Sequence, residues 1–185
     1  PLLHEWPENA TTDRKEINRW WAFSPESNIG IVTGERSGIV VLDIDPRNGG
    51  NETLAALEKK YGPLPDTVEV ITGGGGLHRI FKYPSSPGNQ KKLQLGPGLD
   101  FQTNGNMVVG EGSLHASGKT YDFEHSSHPD NVGLAELPDW FFDVGMKKQT
   151  SQPPLAGDSI PAGERNKTLT KDAGAMRRVG MDYDA

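Results

Sequence analysis

The stretch Val40–Gly50, "VVLDIDPRNGG", decides how the rest of the chain is read. It opens as a β-branched, apolar run of the kind that fills a buried strand. It ends in two aspartates, Asp43 and Asp45, just before a Pro, Asn and Gly turn signal. Residues i and i+2 of a strand point to the same face, about 6.6 Å apart. Two carboxylates so placed repel each other, and burying them unpaired is costly. A divalent cation resolves both problems, and oxygen-only ligands suit Mg2+, Mn2+ or Ca2+. Without a ligand, the strand simply ends there and Asp45 opens the "DPRNGG" turn.

Outward from this strand the pattern is mixed. Upstream, Asp13-x-x-Glu16 resembles a capping box and starts a helix to about Phe23, with Ile17, Trp20 and Trp21 on one face. "NIGIVTG" and "SGIVVLDID", separated by "ERSG", predict a hairpin or two adjacent strands. Downstream, Asn51 is placed to cap a helix through Tyr61, with Leu54, Leu57 and Tyr61 facing inward. "TVEVIT" and "LHRIFKY" alternate and are joined by Gly73–Gly76. "GLDFQT" and "NMVVG" flank Asn104-Gly105, a strong hairpin signal. "TYDFE" adds a further strand, and "LPDWFFDV" reads as a short closing helix. Many strands with few helices predict an α+β fold. Residues 1–146 form the expected main domain. Lys147–Gly163, polar and carrying Pro153, Pro154 and Pro161, reads as a linker. Residues 164–185 return to helical spacing through Leu169, Ala173 and Met176, with Gly180 as a stop.

Composition narrows the class. The 185 residues suffice for one sizeable core. With 23 Gly, 14 Pro and 34% hydrophobic residues, a loop-rich protein is expected rather than a helical bundle. No apolar run approaches a membrane span, and Pro1–Asn18 has no signal-peptide core. The absence of Cys excludes disulfides, thiolate zinc sites and Cys nucleophiles, and fits a cytoplasmic protein. A net charge of −6 argues against a non-specific nucleic-acid coat. Even so, Arg79, Lys82, Lys91 and Lys92 make the Gly73–Gly105 stretch locally basic, with Asp100 its only acid. Such a face can attract a polyanion.

Two more stretches carry candidate chemistry. Four consecutive glycines lose much conformational entropy on folding, more than a plain hairpin requires. The surplus suggests close backbone approach to a ligand, as in an anion-binding nest. His78 and Arg79 follow and alternate, so at most one of them easily shares the glycine-loop site. Asp100 in "GLDFQT" points away from Leu99 and Phe101 and offers a third carboxylate. Together they form a plausible two-metal phosphoryl-transfer set, with carboxylates holding the ions and His, Arg and backbone N–H groups holding phosphates. His115, His125 and His128 match no zinc spacing and read as exposed. Trp20, Trp21, Trp140 and Phe141 read as core.

The order of these stretches resembles the N-terminal domain of bifunctional DNA primase/polymerases, the prim-pol branch of the archaeo-eukaryotic primase superfamily. "WPENATTDRKEINRWW" with "SNIGIVTGERSGIVVLDID" is similar to the family's opening, "TGGGGLHRIF" to its second motif and "GLDFQTNGNMVVGEGS" to its third. "IPAGERNKTLTKDAGAMRRVG" resembles the linker and first helix of the helical primase region that follows. The resemblance implies that residues 1–146 are the catalytic domain, an α/β module joined to an RRM-like sheet, with the site between them. It places Asp43, Asp45 and Asp100 as ligands of two Mg2+ or Mn2+ ions and catalytic residues. His78 would act beside them, contacting the phosphates of the incoming nucleotide; Gly75, Gly76 and Arg79 are the further nucleotide-binding candidates from the residues themselves. Gly76 stands where the family's S-x-H motif has Ser. No zinc is expected.

The implied activity is template-directed nucleotidyl transfer on single-stranded or primed DNA from NTPs or dNTPs. The setting would be a mobile element, phage or plasmid, with a neighbouring or fused helicase and no membrane. Two rivals remain from the residues alone. One is a haloacid-dehalogenase-like phosphatase, which also follows an apolar strand with D-x-D but places Thr or Val where Arg47 stands. The other is a non-catalytic DNA-binding module of the same fold.

Overall fold

The computed structural model describes residues 3–84, 92–141 and 144. The linker expected over 147–163 and the helix expected over 164–185 lie outside these residues. The elements run α1 Trp6–Asn9, α2 Arg14–Phe23, β1 Gly30–Thr33, β2 Ile39–Ile44, a 3-10 turn Pro46–Asn48 and α3 Gly50–Tyr61. Then follow β3 Val68–Ile71, β4 Leu77–Lys82, β5 Lys92–Gly96, β6 Leu99–Gln102, β7 Asn106–Val109 and β8 Asp122–Phe123. The expected α+β class is what is seen: antiparallel sheets and few helices. Among the described residues no helix is long and apolar enough to cross a membrane.

The main sheet has the order β5-β6-β2-β4-β3-β8. β2 and β3 each pair antiparallel with β4, so they run parallel to each other, and α3 crosses between them. This is a split β-α-β unit with α3 on one face, and it accounts for the RRM-like expectation. The strand period of 2 sorts the side chains. Val40, Leu42, Ile44, Phe81, Leu93, Leu95, Leu99 and Phe101 share the face that meets Leu54 and Leu57 of α3. Phe141 joins them, edge-on to Phe101 at 4.8 Å between centroids. The other face carries a smaller cluster of Val41, Val68, Val70 and Ile80. That face also presents the polar row described below.

Four local expectations change. β1 and β2 do not form a hairpin: they meet only at a Gly34–Ile39 bridge, and β1 pairs with β7 in a separate two-stranded sheet. For the same reason Asn104-Gly105 reverses the chain without making a β6–β7 hairpin. There Thr33 Oγ1 donates to Thr103 O at 2.6 Å and Glu35 N to Asn104 Oδ1 at 3.0 Å. These bonds lead the chain out of the main sheet. α3 starts two residues earlier than an Asn51 cap would set it, because Gly49 takes a left-handed φ of 84° and ends the 3-10 turn directly against the helix. Asp13 does cap α2, accepting from Lys15 N and Glu16 N, but Glu16 pairs with Arg19 at 2.9 Å instead of reaching back.

Trp20 and Trp21 are half-exposed, since α2 buries no residue, so they are not core. Trp140 stacks on Tyr61 at 5.3 Å, and Phe141 is fully buried, as expected of core aromatics. Trp140, Phe141 and Val144 are helical where a closing helix was expected. β5, which sequence reading passed over, forms the sheet edge with Leu93 and Leu95 inward.

Candidate active site

Cross-strand register builds the site. Asp43 of β2 stands opposite Asp100 of β6 on one side and opposite His78 of β4 on the other. Gln94 of β5 continues the row beyond Asp100. Because directly opposed residues share a face, all four side chains project from the side away from α3. The sheet is otherwise apolar here, so the row is a polar stripe laid across a packed core. An open cleft of about 390 Å3 lies against it, lined by Asp43, Asp45, Asn48, Gln94, Pro97, Gly98 and Asp100.

Asp45 sits where β2 ends. Its backbone is held by two close approaches: Asp45 N donates to Gly98 O at 2.8 Å, and Gly50 N donates to Asp45 O at 2.9 Å. A Cβ on Gly98 would stand 2.5 Å from Asp45 O, and one on Gly50 would stand 2.8 Å from both Asp45 N and Asp45 O. The "NGG" and "GPG" glycines are therefore what lets the loop close around this residue. The Asp45 side chain also serves the turn expected without a ligand. It accepts from Arg47 N at 3.0 Å and Asn48 Nδ2 at 2.6 Å, and meets Arg47 Nε at 3.3 Å. Burial pushes its carboxyl up, but the Asn48 and Arg47 hydrogen bonds and the Arg47 charge outweigh this and hold it below the usual value.

His78 is only 7% exposed, and its Nε2 lies 3.7 Å from Asp43 Oδ1. Burial lowers its pKa to about 4, so near neutral pH the contact joins a neutral imidazole to a carboxylate and is not an ion pair. Tyr121 covers this end of the row, 6.0 Å from the His78 ring, and burial together with the Asp43 charge raises its pKa.

The glycine loop folds back on β2. A Cβ on Gly76 would stand 2.6 Å from Ile44 O, so this position has no room for a side chain. Gly75 N donates to Thr72 O at 2.9 Å and Gly76 N to Thr72 Oγ1 at 2.8 Å. These two amides close the loop, so an anion nest would have to use others.

Arg79 is not brought to this group. It lies on the α3 face, with Nε 2.8 Å from Glu69 Oε1, Nη1 3.9 Å from Glu58 Oε1, and Nη2 donating to Pro65 O. Lys82 likewise pairs with Glu136 at 3.4 Å. Two of the four cations in the basic stretch are thus matched by acids. Lys91 and the Lys92 side chain lie outside the described residues.

Sequence reading did not single out Asn48, Gln94 or Tyr121, read His115 as exposed and gave Arg47 no role. Asn48 and Gln94 were inconspicuous polar residues. His115 and Tyr121 reach the site from a distant loop that no local pattern connects to it.

The donor set suits a hard divalent cation. Asp43 and Asp100 are opposed across the strand pair, and Asp45 is at the rim of the same cleft. Among the described residues no group of three or more His, Asp or Glu side chains is drawn together closely enough to hold an ion. Asp45 would join the other two by giving up one of its turn bonds.

A search of curated proteins gave no match. The family model for bifunctional DNA primase/polymerase, N-terminal, matches residues 1–140, which include every residue of the polar row, the glycine loop and the cleft. The chain therefore belongs to the Prim-Pol family of bifunctional DNA primase/polymerase N-terminal domains.

Proposed function

We propose that this domain performs template-directed nucleotidyl transfer, as a DNA primase, a DNA polymerase or both, with Asp43, Asp45 and Asp100 holding two Mg2+ or Mn2+ ions. The observation that carries this reading is the registered row Asp100–Asp43–His78 on one sheet face, opening on a cleft rimmed by Asp45. Carboxylates at that spacing in a family of primase/polymerases are best explained by shared cations.

In this scheme a primer 3′-hydroxyl, or that of an initiating nucleotide, attacks the α-phosphate of an NTP or dNTP, and pyrophosphate leaves. The bound ions would activate the hydroxyl and offset charge on the leaving oxygens. The protein's own residues supply position. The β2–β6 ladder fixes Asp43 against Asp100 with no loop freedom between them. The glycine clamp fixes the Asp45 backbone while its side chain can exchange partners. Buried neutral His78 offers one N–H to a phosphate oxygen without adding a charge that would compete with the ions. In this reading the domain uses a DNA template and nucleotides, works with a helicase, and acts in the cytoplasm in the replication of a mobile element, phage or plasmid. The phosphatase alternative has no support from the family match.

The test is primer extension by the full chain on a primed single-stranded template, with labelled dNTPs or NTPs and Mg2+ or Mn2+. Product that requires the metal and disappears in Asp43→Asn and Asp100→Asn supports the proposal. Extension at the wild-type rate in either variant would sink it. Metal-dependent nucleotide binding without extension would favour the non-catalytic module.

A further inference from the structure

The glycine loop meets two side chains that the nucleotidyl-transfer scheme leaves without a task. A Cβ on Gly74 would stand 3.3 Å from Arg47 Nη2 and 3.5 Å from His115 Nε2, so both side chains approach the same side of the glycine loop. Arg47 is held from its other side by Asp45, through Nε at 3.3 Å, and 70% of its side chain is exposed. The planar guanidinium can keep that contact and still present an Nη edge to an anion.

His115 is oriented by its own loop. Nδ1 is turned to Ser117, 3.0 Å from both its backbone N and its Oγ, which leaves Nε2 as the ring nitrogen facing Gly74. Ser117 Oγ donates to Gly73 O at 2.7 Å and ties that loop to the glycines. A Cβ on Gly73 would stand 2.2 Å from the His115 Cβ, so Gly at 73 is what admits the imidazole. The amides of Gly73 and Gly74 make no hydrogen bond among the described residues. A guanidinium edge, an oriented imidazole nitrogen and the two glycine amides without a hydrogen bond among the described residues therefore lie together beside Asp45, with no carboxylate assigned to them except the one Arg47 already touches.

We propose that Arg47, His115 and the Gly73–Gly74 amides form the pocket for the terminal phosphates of the incoming nucleotide. This rests on the nucleotidyl-transfer reading and adds two binding residues to it. The anion is a polyphosphate because the donors are several, fixed, and next to the carboxylate row where the α-phosphate would react. Arg47 supplies the charge and His115 supplies direction.

The test is calorimetric titration of the full chain with dATP, dAMP and a primed DNA in the presence of Mn2+, for wild type, Arg47→Ala, His115→Ala and His115→Gln. His115→Ala keeps the Cβ against which Gly73 packs, and thermal melting checks that each variant is folded. Each alanine variant should weaken dATP binding by about tenfold or more, as expected for loss of a charge-assisted or oriented hydrogen bond. It should leave dAMP and DNA binding within about twofold, and His115→Gln should recover part of the loss through its amide N–H. Unchanged dATP binding in folded variants would overturn the inference, as would equal losses for dATP and dAMP. So would weaker DNA binding with a shallower salt dependence in Arg47→Ala, which would assign the pocket to a template phosphate. A wild-type protein that binds no nucleotide would refute the nucleotidyl-transfer reading itself, and this inference with it.

Discussion

Gly76→Ala tests whether the glycine loop and the aspartate strand form one rigid unit. The new Cβ would stand 2.6 Å from Ile44 O and 3.1 Å from Thr72 Oγ1. Ile44 lies between Asp43 and Asp45 and is fixed in ladders with both β4 and β6, so its carbonyl cannot swing aside as a surface side chain would. Forcing an extra carbon into such a site costs about 1–3 kcal/mol. For a chain of this size that is roughly 2–12 °C in melting temperature. The strand end should yield as well, and primer extension should fall even where the protein is folded. Gly75→Ala is the internal comparison. Gly75 has a φ of 84° but no atom within 4 Å of an added Cβ, so only backbone strain applies, about 1–2 kcal/mol. Differential scanning calorimetry of the two variants, with extension measured below both transitions, decides the matter. A Gly76→Ala protein that melts with wild type and extends at the wild-type rate would refute the close packing of loop on strand.

Further outcomes follow from the same structure. Arg79→Ala should cost about 3 kcal/mol in urea unfolding while leaving nucleotide affinity unchanged, because it strands the half-buried Glu69 carboxylate that Arg79 pairs at 2.8 Å. A selective loss of nucleotide binding would show that Arg79 serves the site after all. The His78 imidazole, with its pKa lowered to about 4 from 6.5, resists a proton that the unfolded chain accepts. Stability should therefore fall as pH drops from about 6.5 to about 4 and level off below, by at most about 3 kcal/mol, and His78→Gln should remove that part. Glu124 is held down to about 2 by the Ser126 and Ser127 hydrogen bonds. Its contribution should be complete above about 4.5 and be lost towards pH 2, which carboxyl NMR titration would show. Phe101→Ala, which empties the space against Phe141, should cost about 3–5 kcal/mol in the same unfolding assay.

Much of this was legible in the sequence because strand alternation is local. The apolar run through Leu42 announced a buried strand, and the two-residue spacing put Asp43 and Asp45 on one side. Alternation also separated His78 from Arg79 and turned Asp100 away from Leu99 and Phe101. The sheet then brought Asp43, Asp100 and His78 into one row by register, which spacing within a strand cannot show. Asn104-Gly105 marked a reversal correctly but not its destination: a turn residue sets local φ and ψ, whereas the edge the chain joins depends on contacts such as Thr33 with Thr103. Leu93 and Leu95 did alternate, but the short run beside "GPG" was passed over. His115 was read as merely exposed for a different reason. Its partner is a glycine, which offers no side chain to suggest a pair, and the loops carrying them meet only through tertiary packing.

The central claim is that the carboxylates of one sheet face bind the ions of nucleotidyl transfer. Electron paramagnetic resonance of free Mn2+, titrated into the full chain with primed DNA and dNTP, measures it directly. Two ions should bind per wild-type chain and fewer than two in Asp43→Asn and in Asp100→Asn, with extension lost in parallel. An unchanged ion count in both variants would contradict the assignment.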